Sequence, residues 1–313
     1  MAAVEQTTNP FLGDGAAIEF GEIVPKPFGE SERTSLILAS YNIRYAVGRY
    51  LIASGILRKV GLNPPRHRTK AVARNIARAA DAFSNGQLLP VVEILALQEA
   101  DKQTARAGGH HVAKELAARL NMAWAHAPAG IPRGVPPQQR EWWLNFEEQI
   151  GLNDAGDTGV ALLSRWPLED VTRIDLPWHD CAWRPRLAIA ATVTVGSRQL
   201  RIFNAHIDPH SAAEGQLEQL EVMIDQAKRS KLPTIVMGDF NTLSQQKCIE
   251  TRRLLEARGY TTPLPTGTAT WRGALLRFHA DWIFARDLKI KRWGVARPLN
   301  VSDHWPVWAE III

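Results

Sequence analysis

The chain has 313 residues and carries 37 Lys and Arg against 32 Asp and Glu, a net charge of +5 with a pI near 9.4. Cys181 and Cys248 are too few for a disulfide framework or a thiolate metal site, and no apolar run approaches the roughly 18 residues of a membrane span. The opening MAAVEQTTNPFLGDGAAIEF lacks the basic start and apolar run of a secretory signal, so a soluble, reduced, cytoplasmic protein with a mild preference for anionic partners is expected.

Residues 1–33 show no clear periodicity and read as an extension, with a short strand at AAIEF. The apolar run LILASYNI (36–43) has strand length. Between 70 and 83, Val72, Ile76, Ala79 and Phe83 recur at steps of four, three and four, which is one helical face. VVEILALQ (91–98) reads as the next strand, 110–120 as a helix and GVALLS (159–164) as a short buried strand. Runs 187–195 and 199–207 flank Gly196-Ser197 and read as a hairpin. A helix over 213–228, a strand PTIVMG, a helix over 248–258, a strand DWIFA and a last strand over 305–313 complete the order.

Helices and strands mix without strict βαβ alternation, which points to an α/β or α+β layered sandwich with mixed sheets. One domain over 34–313 is expected, interrupted by insertions near 47–68 and 125–158. Loops of that length are commonly functional or disordered.

The informative residues stand where the strands end. Asn42 closes the first strand and Glu99 the second; Asn204, His206 and Asp208 close the hairpin. Asp239 and Asn241 follow PTIVMG, Asp281 opens DWIF, and Asp303-His304 introduces the last strand. Any one of these could be a turn cap or a structural hydrogen bond. Together they form a set of carboxylates, amides and imidazoles that one sheet rim could gather. Without thiolates, such a set suits Mg²⁺ or Mn²⁺ better than Zn²⁺.

In order, YNI, LQE, NAHIDPH, GDFN, DWIF and SDHWPV resemble the endonuclease/exonuclease/phosphatase superfamily, the deoxyribonuclease I-like enzymes. The resemblance implies a four-layer α/β sandwich, two mixed β-sheets flanked by helices, and metal-dependent cleavage of a phosphoester bond. It implies Glu99 as principal Mg²⁺ ligand, with Asn42 nearby and Asp303 as a further ligand. Asp239 would orient or deprotonate the attacking water, and Asn241 would hold Asp239 or donate to a phosphate oxygen. His304 would act on the scissile phosphate as general acid, with Asp281 fixing its tautomer and His206 as a second phosphate-facing group.

The shared machinery does not name the substrate. Arg44, Arg49, Arg58, Lys59, Arg66, Arg68, Lys70, Arg74 and Arg78 cluster after the first strand and could track a nucleic-acid backbone. Trp142, Trp143, Trp178 and Trp183 fall in loops where bases could stack. DNA is therefore the first expectation. The alternative is a phospholipid head group or other small phosphorylated molecule, with YLIASGILRKVGL as a basic amphipathic segment making peripheral membrane contact. His179 and His210 are candidate substrate contacts, whereas His67 is expected to face solvent and His110-His111 to be a solvated cap at the start of a helix.

Overall fold

A computed structural model describes residues 17–21, 34–48, 68–132, 148–151, 153–178, 184–273 and 275–313. A seven-stranded mixed sheet contains β1 (Glu19–Gly21), β2 (Ser35–Asn42), β3 (Ile94–Gln98), β4 (Ala123–Pro128), β5 (Gly159–Ser164), β13 (Lys289–Val295) and β14 (Val307–Ile312), ordered β1-β4-β5-β3-β2-β14-β13. A five-stranded mixed sheet contains β6 (Glu169–Asp175), β7 (Leu187–Val195), β8 (Arg198–His206), β9 (Thr234–Asp239) and β12 (Asp281–Arg286), ordered β12-β9-β8-β7-β6. β10 (Trp271–Gly273) and β11 (Leu276–Phe278) form a separate hairpin.

Period-two alternation decides which face each side chain takes. On β2, Leu36 and Leu38 join Ile189, Ile202, Ile235 and Met237 in the core between the sheets. Ala39 and Tyr41 point the other way, onto α1 (Arg68–Ser84) and α2 (Val112–Leu120), through Val72, Ile76, Val112 and Leu116. Outside the second sheet, Phe203 and Val236 pack on Leu220, Met223, Ile224 and Leu255 of α3 (Ala213–Lys228) and α4 (Gln245–Ala257). The layers run helix, sheet, sheet, helix, as expected.

Polar ties cross the central core. The Asn204 amide on β8 donates to the carbonyls of Leu97 and Ala161, 2.8 Å each, and accepts from Gln98 at 2.6 Å. Gly238 permits a close approach between β8 and β9: an added Cβ would lie 2.0 Å from the Ala205 carbonyl oxygen, and its φ of 148° disfavours any side chain.

Several expectations require correction. Residues 125–128, placed in an insertion, are the last four residues of β4. β6, β10, β11 and β13 were not anticipated; β6 (EDVTRID) and β13 (KIKRWGV) are polar edge strands without an apolar run. His110-His111 does stand at the cap of a helix, but both side chains are partly buried and bonded rather than simply solvated. His110 bonds Glu115 at 2.8 Å and the Thr69 carbonyl at 2.9 Å, while His111 caps α2. The expected extension over 1–33 contributes β1, whereas residues 49–67 of the first insertion and 133–147 of the second, with Arg49, Arg58, Lys59, Arg66, His67, Trp142, Trp143, His179 and Trp183, lie outside the described residues.

Candidate active site

The two sheets meet at one rim. β8 runs parallel to β9, so His206 lies beside Asp239; β12 runs antiparallel on the other side and sets Asp281 opposite Asp239. From the other sheet, β2 and β3 are parallel and pair Asn42 with Gln98, the residue before Glu99. The Asn42 amide closes the gap, donating to Asp239 Oδ2 at 2.8 Å and Glu99 Oε1 at 3.2 Å. Its oxygen accepts from the Arg44 N–H at 3.0 Å, so in this arrangement Asn42 orients two carboxylates.

The backbone turns sharply here. Glu99 has φ 50° and Asn241 φ 51°, and the turn Arg44–Ala46 has φ of 45°, 43° and 57°. Non-glycine residues in this region are uncommon and characteristic of functional sites. Behind Glu99, Asp101 accepts from Arg106 Nε at 2.7 Å and Nη2 at 2.9 Å, a buried fork that anchors the loop. Glu99 keeps 12 % of its side chain exposed, against 1 % for Asp239 and 0 % for Asp281, so it is the carboxylate that meets solvent.

His304 Nδ1 lies 2.9 Å from Asp281 Oδ2, and its Nε2 lies 3.7 Å from Asp239 Oδ2. Burial opposes its charge, but Asp281 and Asp239 outweigh that and raise its pKa to about 10. Burial pushes the Asp239 carboxyl up toward neutrality, resisted by the His304 charge. Asp239 is also held by the Asn241 backbone N–H at 3.0 Å, while the Asn241 amide donates to the Ile207 carbonyl at 2.9 Å. His206 Nε2 lies 3.6 Å from Asp239 and 3.1 Å from Arg186. Burial, then the charges of Arg186 and Arg184, hold it well below the usual histidine range, as a neutral imidazole.

Asp303 meets protein donors: Arg44 at 2.6 Å and Trp271 Nε1 at 2.8 Å on one oxygen, Ser302 Oγ at 3.2 Å on the other. Burial raises its pKa, but Arg44 and His304 dominate and the net shift is downward. Arg44 is therefore a buried partner inside the site, not part of a surface track. Arg68 is similarly engaged with Glu148 at 3.0 Å, whereas Lys70, Arg74 and Arg78 are exposed along α1. Trp178 is half-buried, and the His210 N–H donates to Asp208 at 2.9 Å.

Sequence reading missed Arg184 and Arg186, both 1 % exposed and near Glu99 and Asp208 at 3.8 Å. They stand at the mouth of β7 in RPRL, a strand-end position of the same kind as those of the acids and histidines. Trp271 was missed because its strand is only three residues long.

The donor set fits a hard divalent cation. Asp239 and Asp281 bring carboxylate oxygens within 4.8 Å of one another and Glu99 adds an accessible carboxylate, while His304, in its protonated form, stands beside them as a donor rather than a ligand. Asp281 Oδ1 is buried with no hydrogen-bond donor among the described residues.

The family model for the endonuclease/exonuclease/phosphatase family matches residues 39–304. An endonuclease/exonuclease/phosphatase from Beutenbergia cavernae has a TM-score of 0.61 at 16 % identity, over 90 % of this chain and 72 % of that one. A mannosyl-6-phosphatase from Bacteroides thetaiotaomicron has 0.57 at 16 %, over 89 % and 100 %. The human Nocturnin catalytic domain, with bound sulfate, has 0.54 at 18 %, over 89 % and 94 %. No curated protein matches by sequence. The chain belongs to the endonuclease/exonuclease/phosphatase family, whose members are hydrolases acting on phosphoester bonds.

Proposed function

We propose that this phosphoesterase is a divalent-metal-dependent phosphodiesterase, a nuclease with DNA as the favoured substrate. The observation that carries the chemistry is the chain Asp281–His304–Asp239, with the imidazole 2.9 Å from one carboxylate and 3.7 Å from the other. An imidazolium donor beside a carboxylate of raised proton affinity would supply the two roles a phosphoester hydrolase needs near its reacting atoms.

Glu99, with Asp239 beside it, would hold Mg²⁺ or Mn²⁺, and Asn42 fixes both carboxylates. Such an ion supplies charge neutralisation at the phosphoryl oxygens and a lowered pKa for a bound water. Asp239 orients and deprotonates the attacking water. His304, kept protonated by Asp281, donates to a phosphate oxygen or to the departing oxygen. Arg184, Arg186 and neutral His206 line the same rim and offer donors to an anionic substrate. Asp303, tied to Arg44 and Trp271, holds the turn after β2 against the His304 loop; a ligand role for it would require those bonds to open.

Lys70, Arg74 and Arg78, exposed on successive turns of α1, support a nucleic-acid backbone as partner. A small phosphorylated substrate is the second reading. It is favoured by the enclosed Arg184–Arg186 pair and by the fold shared with a mannosyl-6-phosphatase. Among the described residues no helix is long and apolar enough to cross a membrane; contact with a lipid surface belongs to this second reading. Supercoiled-plasmid nicking with Mg²⁺ at increasing salt, beside release of phosphate from sugar phosphates and phospholipid head groups, separates them. Nicking that weakens steeply with salt supports the nuclease; turnover of the small substrates without nicking overturns it.

A further inference from the structure

On the helix-bearing face of the seven-stranded sheet, a second group of ligand-type side chains shares no residue with the rim cluster. The antiparallel register sets Glu19 of β1 directly opposite His126 of β4, so both side chains share one face. His111, the residue capping α2, closes over them with its ring centroid 5.2 Å from that of His126 and 5.1 Å from that of Trp124. One donor atom from each of Glu19, His111 and His126 falls within 4.8 Å of the others.

His111 Nε2 donates to Glu19 Oε2 at 3.0 Å, which accounts for two of the three as a hydrogen-bonded clasp. His126 is not accounted for that way. Its Nε2 lies 2.7 Å from the Ala100 carbonyl oxygen and therefore carries the proton. That leaves Nδ1 with a lone pair, on a ring with 0 % exposure, and with no hydrogen-bond partner among the described residues. An imidazole with one nitrogen fixed by a backbone carbonyl and the other an unused acceptor is how metal-ligating histidines are oriented.

We propose that Glu19, His111 and His126 form a second metal site, selective for a borderline transition-metal ion of the Zn²⁺ class, which fastens β1 to the edge of the sheet. Two imidazoles and one carboxylate are a zinc-type set, chemically unlike the oxygen-rich rim. Burial favours the neutral, ligating form of both histidines: it lowers His111, and it lowers His126 to about 3. Ligation through His111 Nε2 moves that ring's proton to Nδ1, at the expense of the long 3.3 Å hydrogen bond from the Lys114 N–H. Lys102 is bonded to the other oxygen of Glu19, holding the carboxylate in place while its own charge opposes a dication. Removing that charge therefore strengthens metal binding, whereas a role confined to the hydrogen-bonded clasp gives no such gain.

The test uses the full chain in the Glu99→Gln/Asp239→Asn background, which silences the rim. After chelator treatment and dialysis, Zn²⁺ is titrated against a chromophoric chelator, and Co²⁺ is followed by its visible absorption. One Zn²⁺ is expected per chain, weakened at least about tenfold by Glu19→Gln and by His111→Ala, and tightened by Lys102→Met. Both ligand variants alter residues that are partly exposed, and circular dichroism checks that each is folded. Zn²⁺ should also protect the chain from proteolysis near β1 in the parent and not in the variants. Equal Zn²⁺ affinity in the parent and both folded ligand variants, or no stoichiometric binding in the parent, overturns the proposal.

Discussion

His304 and Asp281 meet 2.9 Å apart from the mouths of two strands in different sheets, since Asp281 opens β12 and His304 precedes β14. The pair is assembled only when both sheets stack, so the site depends on the whole sandwich. His304→Ala is expected to lower kcat by about a hundred- to ten-thousand-fold, the range for loss of a general acid or base. The check is steady-state turnover of a phosphodiester with circular dichroism of the same sample; full activity removes His304 from the mechanism.

Asp281→Asn changes the pH dependence as well as the rate. His304 is raised from 6.5 to about 10 in the folded protein, so activity needing its protonated form is lost as pH climbs toward 10. Without the Asp281 charge, that basic limb of kcat/KM moves to lower pH. The sign for stability is the same: a raised imidazole contributes fully below its unfolded pKa of about 6.5 and loses that contribution as pH rises through about 10. A basic limb unmoved in Asp281→Asn contradicts the pairing.

His279 behaves in the opposite sense. Burial lowers it from 6.5 to about 3, and its ring stacks on Trp282 with centroids 3.7 Å apart. Between those two pH values the unfolded chain binds a proton that the native one does not, so stability falls as pH drops. Each such group contributes a slope of up to about 1.4 kcal/mol per pH unit. Urea titrations from pH 7 to pH 4 should show a shallower loss in His279→Gln than in the parent.

The strand core and the site were legible in the sequence to different degrees. β5 and α3 begin and end where their apolar patterns do, because both faces of β5 are buried and α3 has one clear apolar stripe. β4 (AWAHAP) was not recognisable, since alanine carries little strand signal and the strand is confirmed only by its neighbours β1 and β5. Asp239, Asp281 and His304 were legible because each interrupts or introduces an apolar run. That Asn42 turns its amide toward the carboxylates, and Asp303 its oxygens toward Arg44 and Trp271, depends on side-chain rotation, which spacing does not encode.

Gly238 tests the close approach beneath Asp239. Gly238→Ala would place a Cβ 2.0 Å from the Ala205 carbonyl oxygen, forcing β8 and β9 apart. Overpacking of this kind costs about 1–3 kcal/mol. A matching drop in urea midpoint is expected, together with reduced turnover as Asp239 shifts; an unchanged midpoint contradicts the packing.

The proposed chemistry turns on Asp239 activating water for metal-assisted phosphoester cleavage. The most direct measurement is hydrolysis of bis(4-nitrophenyl) phosphate with Mg²⁺, by the parent and by Asp239→Asn, each beside an EDTA control. Turnover is expected to be abolished by EDTA and lowered at least about a hundredfold in the variant, with the fold intact. Turnover by folded Asp239→Asn equal to that of the parent, or turnover indifferent to EDTA, would contradict that chemistry.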